Sequence, residues 1–267
     1  MIITAVEETH FETAQAVLPD GVRLNYAQGG STDGPAVLML HGTSDSSFSF
    51  SRVMPLMPAD VRVIALDLRG HGNSDRPESD YSMSTFAIDV LSLMDRLGIR
   101  DATLVGHSMG TFIARRAAEL APERISRLVL IGSALTARNW VIADLLTATE
   151  AMTDPVDDSF IREFQAGTIR RPVPPEFFER VVGESRKLPA RVWRASVAGM
   201  WAFSPQRPIS CPATILGGDR DAVFSVDEQV ELFLATKRST LHIEPGVGHT
   251  LHWEAPERFV ELAFADF

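Results

Sequence analysis

Gly106-His107-Ser108-Met109-Gly110 decides how the rest of the chain is read. An apolar run, Ala102-Thr103-Leu104-Val105, precedes it, and a helical pattern over residues 111–120 follows. Strand, sharp turn and helix in that order are the context a Gly-x-Ser-x-Gly nucleophile elbow requires. A serine on a tight, strained turn needs neighbours without a Cβ, so that strand and helix can approach closely. Such a turn lifts the Ser108 hydroxyl to the strand end and aims the helix N-terminus at any charge that forms there. The pentapeptide alone recurs by chance; its flanks and the rest of the chain give it weight.

Working outward, residues 11–17 and 23–28 read as strands joined by the turn residues Pro19-Asp20-Gly21. Ala36-Val37-Leu38-Met39-Leu40 is short and wholly apolar, as a strand buried on both faces of a parallel sheet must be. Residues 61–66 and 125–131 read as further buried strands. Helices are expected over 49–57 and along Phe86, Val90, Met94 and Leu97, an apolar face closed by Gly98. The alternation then breaks over 134–207, where helical stretches rich in large side chains are interrupted by prolines. A structureless loop of that length does not suit a compact domain, so a helical insertion is expected. Trp140, Trp193 and Trp201 within it read as pocket liners or as the insertion's own core.

Alternation resumes with a strand at 213–216, a helix at 226–235, a strand at 240–243 and a last helix near 256–267. Ser225-Val226-Asp227-Glu228 has capping-box form at the start of the first of these helices. The pattern predicts an α/β protein with a mostly parallel, eight-stranded, doubly wound sheet. Residues 1–133 and 208–267 form its core and 134–207 its helical insertion.

In such sheets ligands bind beyond the carboxyl ends of the strands. His41 to Ser44, Asp67 to Asp75, Ser108, Asp219 to Asp221 and His249 all fall just after a strand. A serine hydroxyl needs a base within hydrogen-bond reach, itself oriented by a third group. His249, in the glycine-rich Glu244-Pro245-Gly246-Val247-Gly248-His249, is the best base. Asp221 is the best orienting acid, with Asp219 as the alternative. The backbone N–H groups of Met109 and Thr43 are the expected oxyanion donors. His252 reads as a helix-surface or packing residue, His242 as a strand residue and His107 as packing. His41 is expected to hold the oxyanion loop, and His71 to brace, with Arg69 and Asp67, the loop below the site.

The chain has 267 residues, enough for one large α/β domain with an insertion, and a formal net charge of −10, which argues against a polyanionic partner. Simple solubility accounts for that charge, and a cationic substrate would suit it. The single cysteine, Cys211, cannot form an internal disulfide and is expected to be buried. The acidic start, with Glu7, Glu8 and Glu12, does not read as a signal peptide, and no apolar run approaches the ~20 residues of a membrane span. A cytoplasmic protein is therefore expected, with a small-molecule partner and neither nucleic acid nor membrane. The histidines and the cysteine form no metal pattern, and no glycine-rich nucleotide loop is present, so no cofactor is expected.

The chain resembles the α/β-hydrolase superfamily over almost its whole length. The matching pieces are Leu40-His41-Gly42, Asp67-Leu68-Arg69-Gly70-His71-Gly72-Asn73-Ser74, the elbow, Gly218-Asp219-Arg220-Asp221, and Gly248-His249-Thr250-Leu251-His252-Trp253-Glu254-Ala255-Pro256-Glu257. The resemblance implies that 134–207 is a cap over the active site whose side chains choose the substrate. Members that open epoxides or displace halide carry an aspartate where this chain has Ser108. Carbon–carbon bond hydrolases usually carry a Gly-rich Pro-Gly segment after His-Gly and an aromatic residue after the histidine. Here those positions read Thr43-Ser44-Asp45-Ser46-Ser47 and Thr250. Cofactor-free haloperoxidases and perhydrolases share the Ser, Asp, His set, and certain hormone receptors retain it without catalysis. The simplest implication is hydrolysis of a carboxylic ester or lactone. The run Leu38-Met39-Leu40-His41-Gly42-Thr43-Ser44-Asp45-Ser46 is also similar to bacterial esterases that open macrolide rings.

Overall fold

The computed structural model describes residues 11–78 and 80–264. Glu7, Glu8 and the expected end of the last helix at Phe267 lie outside the described residues. The strands are β1 (Glu12–Val17), β2 (Arg23–Gly30), β3 (Ala36–Leu40), β4 (Arg62–Leu66), β5 (Ala102–His107), β6 (Ile125–Ile131), β7 (Ala213–Gly218) and β8 (Ser239–Glu244). They form one sheet in the order β1-β2-β4-β3-β5-β6-β7-β8. β2 runs antiparallel to both β1 and β4, and every pairing from β4 across to β8 is parallel. Every residue of β3, β5 and β7 is buried, which is why those strands read as unbroken apolar runs rather than alternating ones.

The helices are α1 (Met83–Arg96), α2 (Met109–Leu120), α3 (Trp140–Glu150), α4 (Asp158–Gly167), α5 (Pro175–Ser185), α6 (Ala190–Trp201), α7 (Val226–Ala235), α8 (Leu251–Glu254) and α9 (Pro256–Ala263). α1 buries Phe86, Val90 and Met94 of the expected stripe, with Leu93 beside them, while Leu97 is half-buried and caps the helix end. α7 begins at the expected capping box: Ser225 accepts from the Glu228 N–H while the Glu228 carboxylate accepts from the Ser225 N–H.

Two expectations are corrected. Residues 49–57 form no helix but two 3-10 turns, Ser47–Phe50 and Met54–Leu56. Phe50, Val53, Met54 and Met57 have helical spacing and are buried, yet Pro55 has no N–H to donate to a preceding turn. The last helix ends at Ala263, with Phe264 already outside helical geometry.

Helices α3 to α6 all lie between β6 and β7, and α2 of the core holds both ends of this insertion. From α2, Arg115 donates to the carbonyls of Ala134 (2.8 Å) and Leu135 (3.0 Å) at the first stem. Arg116 donates to the Ser204 carbonyl (2.8 Å) at the second stem, and Glu119 accepts there from the Gln206 N–H (3.1 Å). The Phe203 ring packs 5.1 Å from both guanidinium carbons. Arg115 is fully buried, and desolvation pulls its pKa down to about 10.

Candidate active site

Two glycines let the elbow close. A Cβ on Gly106 would stand 2.4 Å from the Gly110 carbonyl oxygen, and one on Gly110 would stand 2.1 Å from that of Leu40. Between them Ser108 has φ 50° and ψ −116°, outside the helical region, and caps α2 without a side-chain bond. That strained geometry leaves its hydroxyl free at the carboxyl end of β5 and puts the Met109 N–H at the first position of α2.

His249 comes from the loop after β8 and Asp221 from the loop after β7. His249 Nδ1 lies 2.9 Å from Asp221 Oδ2. The other carboxylate oxygen, Oδ1, accepts from the N–H groups of Val223 (2.8 Å) and Phe224 (3.0 Å), so the acid is oriented before the imidazole meets it. Burial pushes the Asp221 carboxyl up, but the neighbouring His249 and those two N–H groups outweigh it and hold the pKa below the ordinary value. His249 therefore donates Nδ1–H to the carboxylate and carries its lone pair on Nε2. That buried Nε2 has no hydrogen-bond partner among the described residues, and Ser108 and His249 line the same cavity. Asp219 is exposed and instead accepts from the Gly246 N–H (2.6 Å), bracing the loop that leads to His249.

The His249 loop is fixed by groups that sequence reading missed. The His249 N–H donates to the Thr168 carbonyl (2.8 Å), just beyond α4. The Glu254 carboxylate, in α8, accepts from the N–H groups of Gly248 (3.0 Å), Arg170 (3.0 Å) and Arg171 (2.6 Å) and from the Thr250 hydroxyl (3.0 Å). Gly132, at φ 56°, lies against the imidazole.

Thr43 lines the cavity and is followed by Ser44 at φ 65°. His41 holds the base of this loop as expected. Its Nε2 accepts from the Leu68 N–H (3.1 Å), which leaves Nδ1–H to donate to the Gly42 carbonyl (2.8 Å). Asp67 accepts from Ser47 N–H, Asn73 N–H and Asn25, Arg69 forks onto Asp89 and also reaches Asp20, and His71, expected to brace this loop with them, contributes one side-chain bond, from Nδ1 to the Arg69 carbonyl (2.9 Å). His107 packs, as expected, its ring 4.9 Å from that of His249 and 4.5 Å from that of His252. His252 is not on a surface: it is fully buried, with Nε2 3.1 Å from the Ser49 hydroxyl. His242 is an exposed residue of β8, and Cys211 is buried and unpaired.

The cavity has a volume of about 350 Å³, with Thr43 and Ser108 on one wall and Leu145, Phe160, Phe164 and Met200 from the insertion on the other. None of Trp140, Trp193 and Trp201 lines it. Trp193 is fully buried within the insertion itself, its ring edge-on to Phe160 and Phe164, as the alternative reading expects; Trp140 is 75% exposed, and Trp253 is the tryptophan that does face the cavity. Among the described residues no group of three or more His, Cys, Asp or Glu is arranged to hold a metal, and no helix is long and apolar enough to cross a membrane.

Residues 35–256 match the family model of the alpha/beta hydrolase fold, and the chain belongs to that family. It is 36% identical over 123 residues to an uncharacterized protein of Mycobacterium tuberculosis, a stretch covering 45% of this chain and only 36% of that protein's length. It is 27% identical over 256 residues to 3-oxoadipate enol-lactonase 2 of Acinetobacter baylyi, covering 93% of this chain and 94% of that one. The crystal structure of an esterase from a Rhodococcus species superimposes with a TM-score of 0.80 at 25% identity, covering 95% of this chain and 97% of that chain.

Proposed function

We propose that the protein is a serine hydrolase that cleaves a carboxylic ester or lactone through an acyl-enzyme, with residues 134–207 acting as the cap over its cavity. The observation that carries this reading is the bond from His249 Nδ1 to Asp221 at 2.9 Å, which leaves Nε2 as a proton acceptor on the cavity wall shared with Ser108. In this reading Ser108 Oγ attacks the ester carbonyl while His249 Nε2 takes its proton. The carbonyl oxygen becomes an oxyanion, held by the N–H groups of Met109 and Thr43 and by the positive end of α2. The tetrahedral adduct then collapses. The C–O bond to the leaving alcohol breaks, and the alkoxide takes the proton from His249. Water, deprotonated by the same imidazole, attacks the acyl-enzyme and releases the acid. Asp221 stays ionised throughout and stabilises the imidazolium.

The cavity suggests the kind of ester. About 350 Å³ is near the small end of ligand pockets and favours a compact acyl or lactone group over a macrolide ring. Its inner wall is apolar, and its charged lining residues are the acids Asp45, Asp144 and Glu163, with no lysine or arginine. Neutral or cationic esters suit such a lining, and anionic ones do not. A screen of p-nitrophenyl esters of graded length and of small and large lactones, run with Ser108→Ala beside the native chain, tests the proposal. Turnover by the native protein with loss of about 10⁶-fold in kcat for Ser108→Ala is expected; equal turnover by the two proteins would overturn it.

A further inference from the structure

The insertion does more than wall the cavity. From α4 the Gln165 side chain, 1% exposed, reaches onto the loop after β3. Its Nε2 lies 3.0 Å from Asp45 Oδ1, 3.2 Å from Ser44 Oγ and 2.9 Å from Ser185 Oγ of α5. Ser44 and Ser185 are themselves 3.2 Å apart, and Ser185 donates on to the Val181 carbonyl. Ser44 directly follows Thr43 and sits at φ 65°, a left-handed conformation that a serine keeps only where its surroundings over-determine it. The loop is thus held at two points. His41 fixes its base from the core through the Gly42 carbonyl, and Gln165 fixes its crest from the insertion.

We propose that Gln165 is a positioning residue for the oxyanion hole, acting through Ser44 and Asp45 on the Thr43 N–H, so that the cap is part of the catalytic apparatus. The proposal rests on the acyl-enzyme reading above. An oxyanion donor works because it is already aimed where charge will form, and a donor that must be reoriented during the reaction loses that advantage. The ground-state carbonyl needs the donor far less than the tetrahedral oxyanion does. Release of the loop therefore lowers kcat and leaves KM nearly unchanged, whereas loss of a plain wall contact raises KM. Glutamine suits the position because its amide carries two donors toward three acceptor oxygens, one of them a carboxylate.

The test uses Gln165→Met, which keeps the volume and removes the donors, and Gln165→Glu, which replaces the amide with a carboxyl group. Steady-state hydrolysis of p-nitrophenyl butyrate, inhibition by an aryl trifluoromethyl ketone that forms a tetrahedral adduct on Ser108, and Tm are measured for each. For Gln165→Met the expected result is a fall in kcat of about 10- to 100-fold with KM within about threefold. Affinity for the ketone should fall by the same factor as kcat/KM. In Gln165→Glu the carboxyl must be protonated to donate to Asp45, so its kcat relative to the native chain should climb as pH falls. That second readout stands even where the methionine variant does not fold. Unchanged kcat in Gln165→Met, raised KM at constant kcat, or a flat pH ratio in Gln165→Glu overturns the positioning role alone. A native chain that neither hydrolyses any ester nor reacts at Ser108 with a fluorophosphonate overturns the acyl-enzyme reading, and this proposal with it.

Discussion

Gly132 and His249 are packed so closely that a Cβ on the glycine would lie 2.6 Å from the imidazole Nδ1, the atom that faces Asp221. No side chain is tolerated there while the 2.9 Å bond between His249 and Asp221 is kept. Gly132→Ala is therefore expected to displace the ring and lower kcat by about 10²-fold. Gly98→Ala is the control: that glycine also has positive φ, at 67°, but nothing lies within 4 Å of its added Cβ. Both variants share the backbone penalty, so equal loss of kcat in the two would remove the steric explanation.

Asp221→Asn inverts the proton inventory of the site. Asp221 Oδ1 accepts from two backbone N–H groups, so an asparagine oxygen must occupy that position and its NH₂ must face His249. Nδ1 then becomes the acceptor and Nε2 holds the proton, the wrong tautomer for a base. A fall in kcat of about 10⁴-fold with the fold intact is expected from steady-state kinetics and circular dichroism.

The buried histidines predict acid lability. Burial lowers the pKa of His41, His71, His107 and His252 below the ordinary 6.5, with like charge from neighbouring histidines adding to the fall at His71 and His252. Below pH 6.5 the unfolded chain binds protons at these positions that the native chain refuses, so stability declines as pH falls and is full above that value. Each group contributes a slope of up to about 1.4 kcal/mol per pH unit between its native pKa and 6.5. Urea midpoints measured from pH 7.5 down to pH 5 should fall steeply, and a flat profile would contradict neutral, buried imidazoles.

Substrate charge gives a further measurement. With Asp45, Asp144 and Glu163 as the charged lining, kcat/KM for an ester carrying a carboxylate should be lower by about 10-fold or more than for its neutral isostere. Added salt should narrow the gap, as should Asp144→Asn combined with Glu163→Gln, since both residues are exposed and screened. Equal rates for the two esters would contradict the lining as the source of selectivity.

Much of the fold was readable because its central strands are buried on both faces, which makes β3 and the Leu128-Val129-Leu130-Ile131 end of β6 unmistakable as apolar runs. The candidate site residues were readable because each follows a strand: Ser108 between Gly106 and Gly110, Asp221 shortly after Gly217-Gly218, and His249 directly after Gly248. What sequence pattern does not carry is contact between distant segments. Nothing in the neighbourhood of Gly132, Gln165 or Glu254 announces that these residues touch the His249 loop or the loop after β3. Gly132 meets His249 where the strands of the sheet end, while Gln165, and the bonds of Glu254 to Arg170 and Arg171, arise where the insertion meets the core. Trp140 misled for a related reason: a large ring in a helix suggests burial, but it sits at the first position of α3, pointing away from the core. The 49–57 segment misled because buried side chains recur at helical spacing even where the backbone is only two short turns.

The clamp that Arg115, Arg116 and Glu119 make on both stems of the insertion has a consequence for how this scaffold changes. Chain departure and chain return are moored to one helix, the same helix that Ser108 caps. The residues between those moorings make up a cassette whose replacement is expected to leave the sheet in place. Gln165, the Thr168 carbonyl and the Arg170 and Arg171 N–H groups set the conditions on any such exchange, because a replacement cassette must also supply a hand for the loop beside Thr43 and for the loop that carries His249.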